Sequence, residues 1–306
     1  MLPGIAALPM RPGYGEGVPI LPPDHGLVEV ADRVWVARHS WRDVNVTVVA
    51  GTRGVLVVDT LGSDRAARGL LEELRRLGRG DVVAVVNTHE HFDHTFGNHA
   101  FRDSWPEVSL VAHEETAART VAAGERAKGE YAARADDPEA EHVLGTTVLP
   151  ADATFSSVLT IDLGDRIVEL VHPGRGHTAG DLVARVPDAD VLVAGDLVEE
   201  SGPPAYGPDC FPLDWPGSLD LVLGLLGPGT VVVPGHGELV DKDFVQEQRS
   251  DVGIVAETVH DLASRSVPID QALQHTVWPL PADHLEHAVR RGYEQVPRSA
   301  RRLPLL

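Results

Sequence analysis

Four short apolar runs, each breaking off into a turn that carries a histidine or an aspartate, constrain this chain more than any other feature. Asp81 to Val86 leads to Thr88-His89-Glu90-His91-Phe92-Asp93-His94, and Arg166 to Val171 leads to Gly176-His177-Thr178-Ala179-Gly180-Asp181. Val191 to Ala194 leads to Gly195-Asp196, and Thr230 to Val233 leads to Pro234-Gly235-His236-Gly237. Valine-rich runs bounded by turn residues read as strands. Glycine beside a ligand-type side chain lets the backbone bend sharply and come close to an ion. The pattern recurs too often for chance, so metal chemistry is expected at the strand ends.

The first of these turns is the densest. In an extended segment residues i and i+2 point the same way, so His89 and His91 can converge on one cation. The turn that follows can swing Asp93 and His94 toward a second. An ion such as Zn²⁺ accepts imidazole nitrogen and carboxylate oxygen at about 2.0–2.2 Å, and a catalytic site keeps one position open for water. The competing reading is a chance cluster of surface histidines in a chain that has fifteen. The three further segments weigh against it.

Taken together, the His-x-His-x-Asp-His window at 89 to 94 followed by His177, Asp196 and His236 resembles the metallo-β-lactamase superfamily, a large group of mostly zinc-dependent hydrolases. The resemblance covers roughly residues 30 to 240. It implies an α+β fold, an αββα four-layer sandwich with its metals at the rim between two sheets. It also implies a ligand set: His89, His91 and His177 for a first ion, Asp93, His94 and His236 for a second, and Asp196 bridging both. The implied cofactors are two Zn²⁺, with iron or manganese as substitutes, and the implied nucleophile is a hydroxide bridging the two ions. Asp93 is the catalytic candidate, holding the attacking water while ligating.

Many β-lactam-hydrolysing relatives place cysteine where Asp196 stands. A carboxylate there is closer to the glyoxalase, lactonase and esterase branches, so the expected reaction is hydrolysis of a carboxylic ester, lactone or thioester. Lactonases of the family use a tyrosine close behind the bridging aspartate, whereas Tyr206 lies ten residues on. Arg290, Arg291, Arg298, Arg301 and Arg302 form no pattern assignable to glutathione. β-Lactam hydrolysis, a di-iron redox enzyme and a non-catalytic binding protein stay as alternatives. One scaffold hosts many reactions, so the motif speaks to the fold and the metal more than to the bond cleaved.

The formal charge of −20, from 26 basic and 46 acidic residues, argues against a nucleic-acid surface, which needs basic patches to displace counterions. A small-molecule substrate is expected, and a homo-oligomer is left open. Cys210 is the only cysteine, so no intramolecular disulfide can form, and no histidine adjoins it to suggest a thiol nucleophile. The first 27 residues lack the basic head and apolar stretch of a secretory signal, and no run approaches membrane-spanning length. A cytoplasmic location is the expectation.

Along the chain, residues 1–27 are expected to form an irregular arm, 28–240 the catalytic domain, and 241–306 a helical elaboration of that domain. Arg33 to Arg38, Asn45 to Ala50 and Gly54 to Asp59 read as strands. Ser63 caps a predicted helix from Asp64 to Leu77 that Gly78 ends. Helical composition from Glu114 to Ala135, stopped by Asp136-Asp137-Pro138, predicts an insertion about 114–142 over the active-site mouth, with Tyr131 and His142 best able to touch substrate. The proline-rich segment 199–215 is a second candidate pocket wall through Tyr206 and Phe211, with Trp215 read as a core anchor. Helical patterns follow at Ser218 to Leu226, Phe244 to Ser264, Ile269 to His275 and Ala282 to Tyr293. Asp59 is placed to accept a hydrogen bond from a ligand histidine, and Asp181 and Thr178 to do the same near His177. His99, His113 and His172 match no ligand position and are read as structural.

Overall fold

Period-two alternation of valines sorts the chain into layers. In the computed structural model, which describes residues 18–134 and 136–297, the strands are β1 (Val28–Ala31), β2 (Val34–His39), β3 (Val44–Gly51), β4 (Gly54–Val58), β5 (Val82–Val86), β6 (Ser109–His113) and β7 (Ala153–Phe155). These are followed by β8 (Val158–Asp162), β9 (Ile167–Val171), β10 (Val183–Val186), β11 (Val191–Glu199) and β12 (Val231–His236). The first seven lie side by side in chain order, antiparallel from β1 to β4 and parallel from β4 to β7. The other five run β12-β11-β10-β9-β8, antiparallel except for the β11/β12 pair. One register pair, His236↔Val44, joins the two halves.

The halves pack face to face. Val34, Val36, Leu56, Val58, Ala84 and Val86 from one meet Val168, Leu170, Val191, Val193 and Val233 from the other in a central apolar layer. The alternate residues Trp35, Ala37, Val55 and Val57 face outward onto α1 (Asp64–Leu77) and α3 (Asn98–Ser104), chiefly through Leu70, Leu71, Leu74 and Phe101. Phe92 of the short α2 (Phe92–Thr95) packs in a separate cluster with Phe96 and Tyr131. On the opposite outer face, Leu192, Ala194 and Val232 pack against the C-terminal half of the chain's helices. In chain order the remaining helices are α4 (Glu114–Ala132), α5 (Ala140–Gly145), α6 (Trp215–Leu225), α7 (Lys242–Ser264), α8 (Ile269–Ala272) and α9 (Glu286–Gln295). Strands buried on both faces read as unbroken valine runs. The result is the αββα sandwich.

Several local readings hold closely. Ser63 Oγ accepts from the Ala66 N–H at 3.1 Å, and Gly78 takes φ 66° to end α1. The helix predicted at 114–135 ends at Ala132, and that predicted at 218–226 starts at Trp215. Two readings need correction: the run Thr230 to Val233 does not break off at Pro234-Gly235, since β12 continues to His236, and a similar extension occurs in β11. The run Val191 to Ala194 does not end in a turn at Gly195-Asp196: β11 continues to Glu199, with a register shift and φ 54° at Gly195. A bulge re-aims a side chain without ending the strand, and it turns Asp196 into the site.

Residues 1–17 of the expected N-terminal arm lie outside the described residues. Val18 and Leu21 are buried in the central layer, and the Leu21 N–H donates to Glu238 Oε2 at 2.9 Å, so this stretch packs on the sandwich. No described helix is long and apolar enough to cross a membrane.

Candidate metal centre

The site is assembled from strand ends on both sides of the β3/β12 seam. His89 and His91 follow β5, Asp93 and His94 sit in the single turn of α2, and His177 lies in the loop between β9 and β10. Asp196 comes from the bulge in β11, and His236 ends β12. All seven predicted ligands converge. Metal-binding atoms of His89, His91, His177 and Asp196 lie within 4.8 Å of one another, as do those of Asp93, His94 and His236. Asp196 Oδ2 stands 3.3 Å from both His177 Nε2 and His236 Nε2, between the two groups. Gly235 makes room for it, since a Cβ there would fall 1.9 Å from Asp196 Oδ1.

Partners on the far side of each ring fix which nitrogen faces inward. His94 Nδ1 donates to Asp59 Oδ2 at 2.8 Å, His177 Nδ1 to the Ala205 carbonyl at 2.8 Å, and His236 Nδ1 to the Arg42 carbonyl at 2.7 Å. His91 is reversed: its Nε2 donates to Asp209 Oδ2 at 3.2 Å. Thr88 Oγ1 donates to Asp59 Oδ2 at 2.8 Å, which leaves its lone pairs to accept from His89 Nδ1 at 3.1 Å. With the outer nitrogen carrying the proton, every inward nitrogen presents a lone pair.

Those lone pairs face one another. His91 Nδ1 is 3.1 Å from His89 Nε2 and 2.8 Å from His177 Nε2, while His94 Nε2 is 3.2 Å from His236 Nε2. Neutral rings in these tautomers cannot hydrogen-bond each other at such distances, and Asp196 Oδ1 is buried with no hydrogen-bond partner. A buried set of nitrogen and carboxylate donors in this arrangement calls for positive charge at its centre. The donors therefore fit divalent metal ions.

The electrostatics divide the rings: against the effect of burial, carboxylates draw protons onto His91, His94 and His236, the positive charge that an ion would otherwise supply, while His89 and His177 stay neutral. Burial pushes His177 down to about 4 and His89 well below the usual histidine range, which keeps both neutral. Burial would also lower His236, but the Asp196 carboxylate outweighs it and lifts the ring to about 10. Burial opposes ionisation of Asp196, yet His236, His94, His89 and His177 hold it well below the usual carboxylate range. Glu199, next to the cluster, is pushed by burial up to about 7.

A cleft of about 670 Å³ opens over the cluster. It is walled by Arg42 and Phe92, by Ala123, Arg126, Ala127 and Glu130 of α4, by the 204–208 loop, and by Asp283, His284, Glu286 and His287. The insertion does form a wall, though not through the residues expected. Tyr131 is buried behind the wall, its hydroxyl accepting from Arg42 Nη2 at 3.1 Å and its ring against Phe92. His142 contacts Arg65 on the exposed side of α5. Tyr206 does line the cleft, whereas Phe211 is held between the guanidinium groups of Arg175 and Arg291 and does not. Trp215 is fully buried, with Nε1 donating to the Leu197 carbonyl, and anchors the loop to the core.

The supporting residues divide similarly. Asp59 accepts from His94 as expected. Asp181 instead accepts from the Thr178 N–H and hydroxyl, shaping the 177–181 turn without touching His177. His99 faces Asp64, His113 caps α4, and His172 stacks on His113, all outside the cluster. Asp209 was not anticipated: it takes His91 Nε2–H and also Arg126 Nη2 at 2.6 Å, tying a candidate ligand to α4. Nothing in its proline-rich surroundings signals this. The cleft wall at residues 283 to 287 was equally hidden, because the motif ends at His236.

A sandwich with histidines and aspartates gathered at the inter-sheet rim is the architecture of a metal-dependent hydrolase. Residues 39–236 match the profile of the Metallo-beta-lactamase superfamily, and the chain belongs to that family. It is 28% identical over 203 residues to the Metallo-beta-lactamase type 2 of Bacillus cereus, covering 66% of this chain and 70% of that protein. Among solved structures it resembles a metallo-beta-lactamase from Pontibacter korlensis (22% identity, TM-score 0.59, 74% of this chain and 98% of that one). It also resembles the stereoselective inverting sec-alkylsulfatase Pisa1 from Pseudomonas sp. (19% identity, TM-score 0.70), spanning 88% of this chain and half of that one. At these identities the structural likenesses speak to the fold alone.

Proposed function

We propose that the chain is a dinuclear zinc hydrolase that cleaves a carboxylic ester, lactone or thioester. The observation that carries this reading is the inward convergence of five imidazole lone pairs on Asp196. His89, His91 and His177 would hold one ion, Asp93, His94 and His236 the other, with Asp196 shared between them. When bound, the two ions would lower the pKa of water from about 15.7 toward about 7 and polarise the scissile carbonyl.

The chain's own groups supply the rest. Asp93, buried at the floor of the cleft, accepts the proton of the attacking water and returns it to the departing oxygen or sulfur as the acyl bond breaks. Arg42, steadied by the Tyr131 hydroxyl and the face of Phe92, offers a cation to substrate oxygen. Asp59, Thr88 and Asp209 keep the histidines in their ligating tautomers. We take residues 28–240 as the catalytic unit, with 114–142 inserted into it and 241–306 as an elaboration of the same domain that closes the cleft.

The kinship to the Bacillus cereus protein favours a second reading, β-lactam hydrolysis; a carboxylate at position 196 favours the first. Elemental analysis of the purified protein is expected to show close to two divalent ions per chain, and chelation to abolish hydrolysis until zinc is restored. A panel of ester, lactone, thioester and β-lactam substrates separates the two readings. Full activity in metal-free protein would overturn both, and β-lactams as the only substrates turned over would overturn the first.

A further inference from the structure

One carboxylate in the cluster belongs to none of the seven predicted ligands. Glu199 ends β11 as the register partner of His236 on β12, so the two residues are neighbours across a parallel pair. Glu199 is 6% exposed and lines the cleft. Metal-binding atoms of Asp196, Glu199 and His236 lie within 4.8 Å of one another. Its backbone is pinned from α7: the Glu199 N–H donates to Gln248 Oε1 at 2.9 Å, while Gln248 Nε2 donates to the Leu197 carbonyl at 2.7 Å.

A carboxylate offers about four acceptor sites. Ser201 Oγ donates to Glu199 Oε1 at 2.5 Å, and among the described residues no lysine or arginine pairs with Glu199. Burying a second carboxylate beside Asp196 without a cation is costly. A purely structural acid would gain more from a distant position, yet α7 holds this one at the cluster.

We propose that Glu199 is a ligand of the second metal subsite, together with Asp93, His94, Asp196 and His236, and that it opens that subsite to oxygen-seeking divalent ions such as Mn²⁺. The inference rests on the dinuclear reading above. Three imidazoles and one shared carboxylate would give the first subsite the nitrogen-rich donor set that zinc favours. The second then has two nitrogens and three carboxylates, a donor set suited to a harder ion that takes five or six ligands. Zinc still binds more tightly in absolute terms by the usual order of divalent metals. Glu199 narrows the gap.

The test uses the full chain, stripped of metal, given one equivalent of Zn²⁺ and then titrated with either Mn²⁺ or Zn²⁺ under equilibrium dialysis, with bound manganese read by its paramagnetic resonance. In Glu199→Gln, affinity for the second ion is expected to fall at least about tenfold for Mn²⁺ and by less for Zn²⁺, with the first Zn²⁺ held as in the wild type. Equal second-ion affinities in wild type and variant would overturn the proposal while leaving the dinuclear reading intact. A wild-type chain that takes up only one ion would overturn both. If Glu199→Gln does not fold, Glu199→Asp, which withdraws the carboxylate by one methylene, carries the same expectation.

Discussion

Asp59→Asn removes a single charge from a residue that touches no substrate, yet it is expected to weaken both metal subsites. Asp59 Oδ1 accepts the Thr88 N–H, and Oδ2 accepts both the Thr88 hydroxyl and His94 Nδ1–H, each at 2.8 Å. An amide keeps the first bond and inverts the other two. Facing an N–H donor, His94 must either lose its bond or move its proton to the inward nitrogen, where it blocks ligation. The Thr88 hydroxyl, now accepting from the amide, turns to donate to His89 Nδ1 and drives that ring to the wrong tautomer as well. A hydrogen bond to a charged group contributes about 1.5–3 kcal/mol, and about 1.4 kcal/mol is tenfold in binding. Each ion should therefore bind about 10- to 100-fold more weakly. Asparagine tolerates the left-handed backbone of position 59, at φ 66°, about as well as aspartate does, so the fold should survive. Competition titration against a chelator of known affinity measures the two constants. Wild-type affinity at both subsites would refute the tautomer argument, and loss at the second alone would refute the relay through Thr88.

Other substitutions probe the remaining parts. Asp196→Ala is expected to lose one ion and most turnover while circular dichroism stays native, because the repulsion between two cations is then unscreened; wild-type metal content would show that Asp196 does not bridge. Gly235→Ala drives a methyl group into the space of Asp196 Oδ1, and should cut metal content without the gross unfolding of a core mutation. Trp215→Ala should cost about 3–5 kcal/mol in denaturant unfolding, since Trp215 is fully buried under the 199–215 segment. Ala127→Trp and His287→Ala, both at the cleft wall, should alter the ratio of kcat/KM among ester and lactone substrates, whereas Phe211→Ala should leave that ratio unchanged.

What the sequence made legible was whatever is encoded in neighbouring residues. The α1 helix shows its Ser63 cap, its leucine face and its Gly78 terminator within sixteen positions, and all three stand as expected. The histidine window needs only the two-residue period of an extended chain. Contacts between distant segments left no such trace. Asp209 meets His91 and Arg126 across 118 and 83 residues, and nothing near any of the three marks the meeting. Tyr131 misled for a related reason: its position on α4 was legible, but which face of the helix meets the cleft depends on Phe92 and Arg42, far off in the chain. Asp196 sits in a bulge, and a glycine before an aspartate looks the same whether it ends a strand or kinks one.

The seam between the halves of the sandwich gives the metals a second importance. Apart from the central apolar layer, the strands of the two halves share one register pair, Val44 and His236, beside scattered backbone bonds such as Arg53 N–H to Leu163 O and Leu182 N–H to Thr88 O. The candidate ligands are drawn from both: His89, His91, Asp93 and His94 from one, His177, Asp196 and His236 from the other. An ion held across that line is a removable cross-link. Saturation at about a thousand times the dissociation constant adds about 4 kcal/mol to the folded state, comparable with much of a domain's net stability. Ion supply would then govern how long the chain survives as well as how fast it works, because a starved molecule opens along its valine-lined middle and presents that surface to proteases.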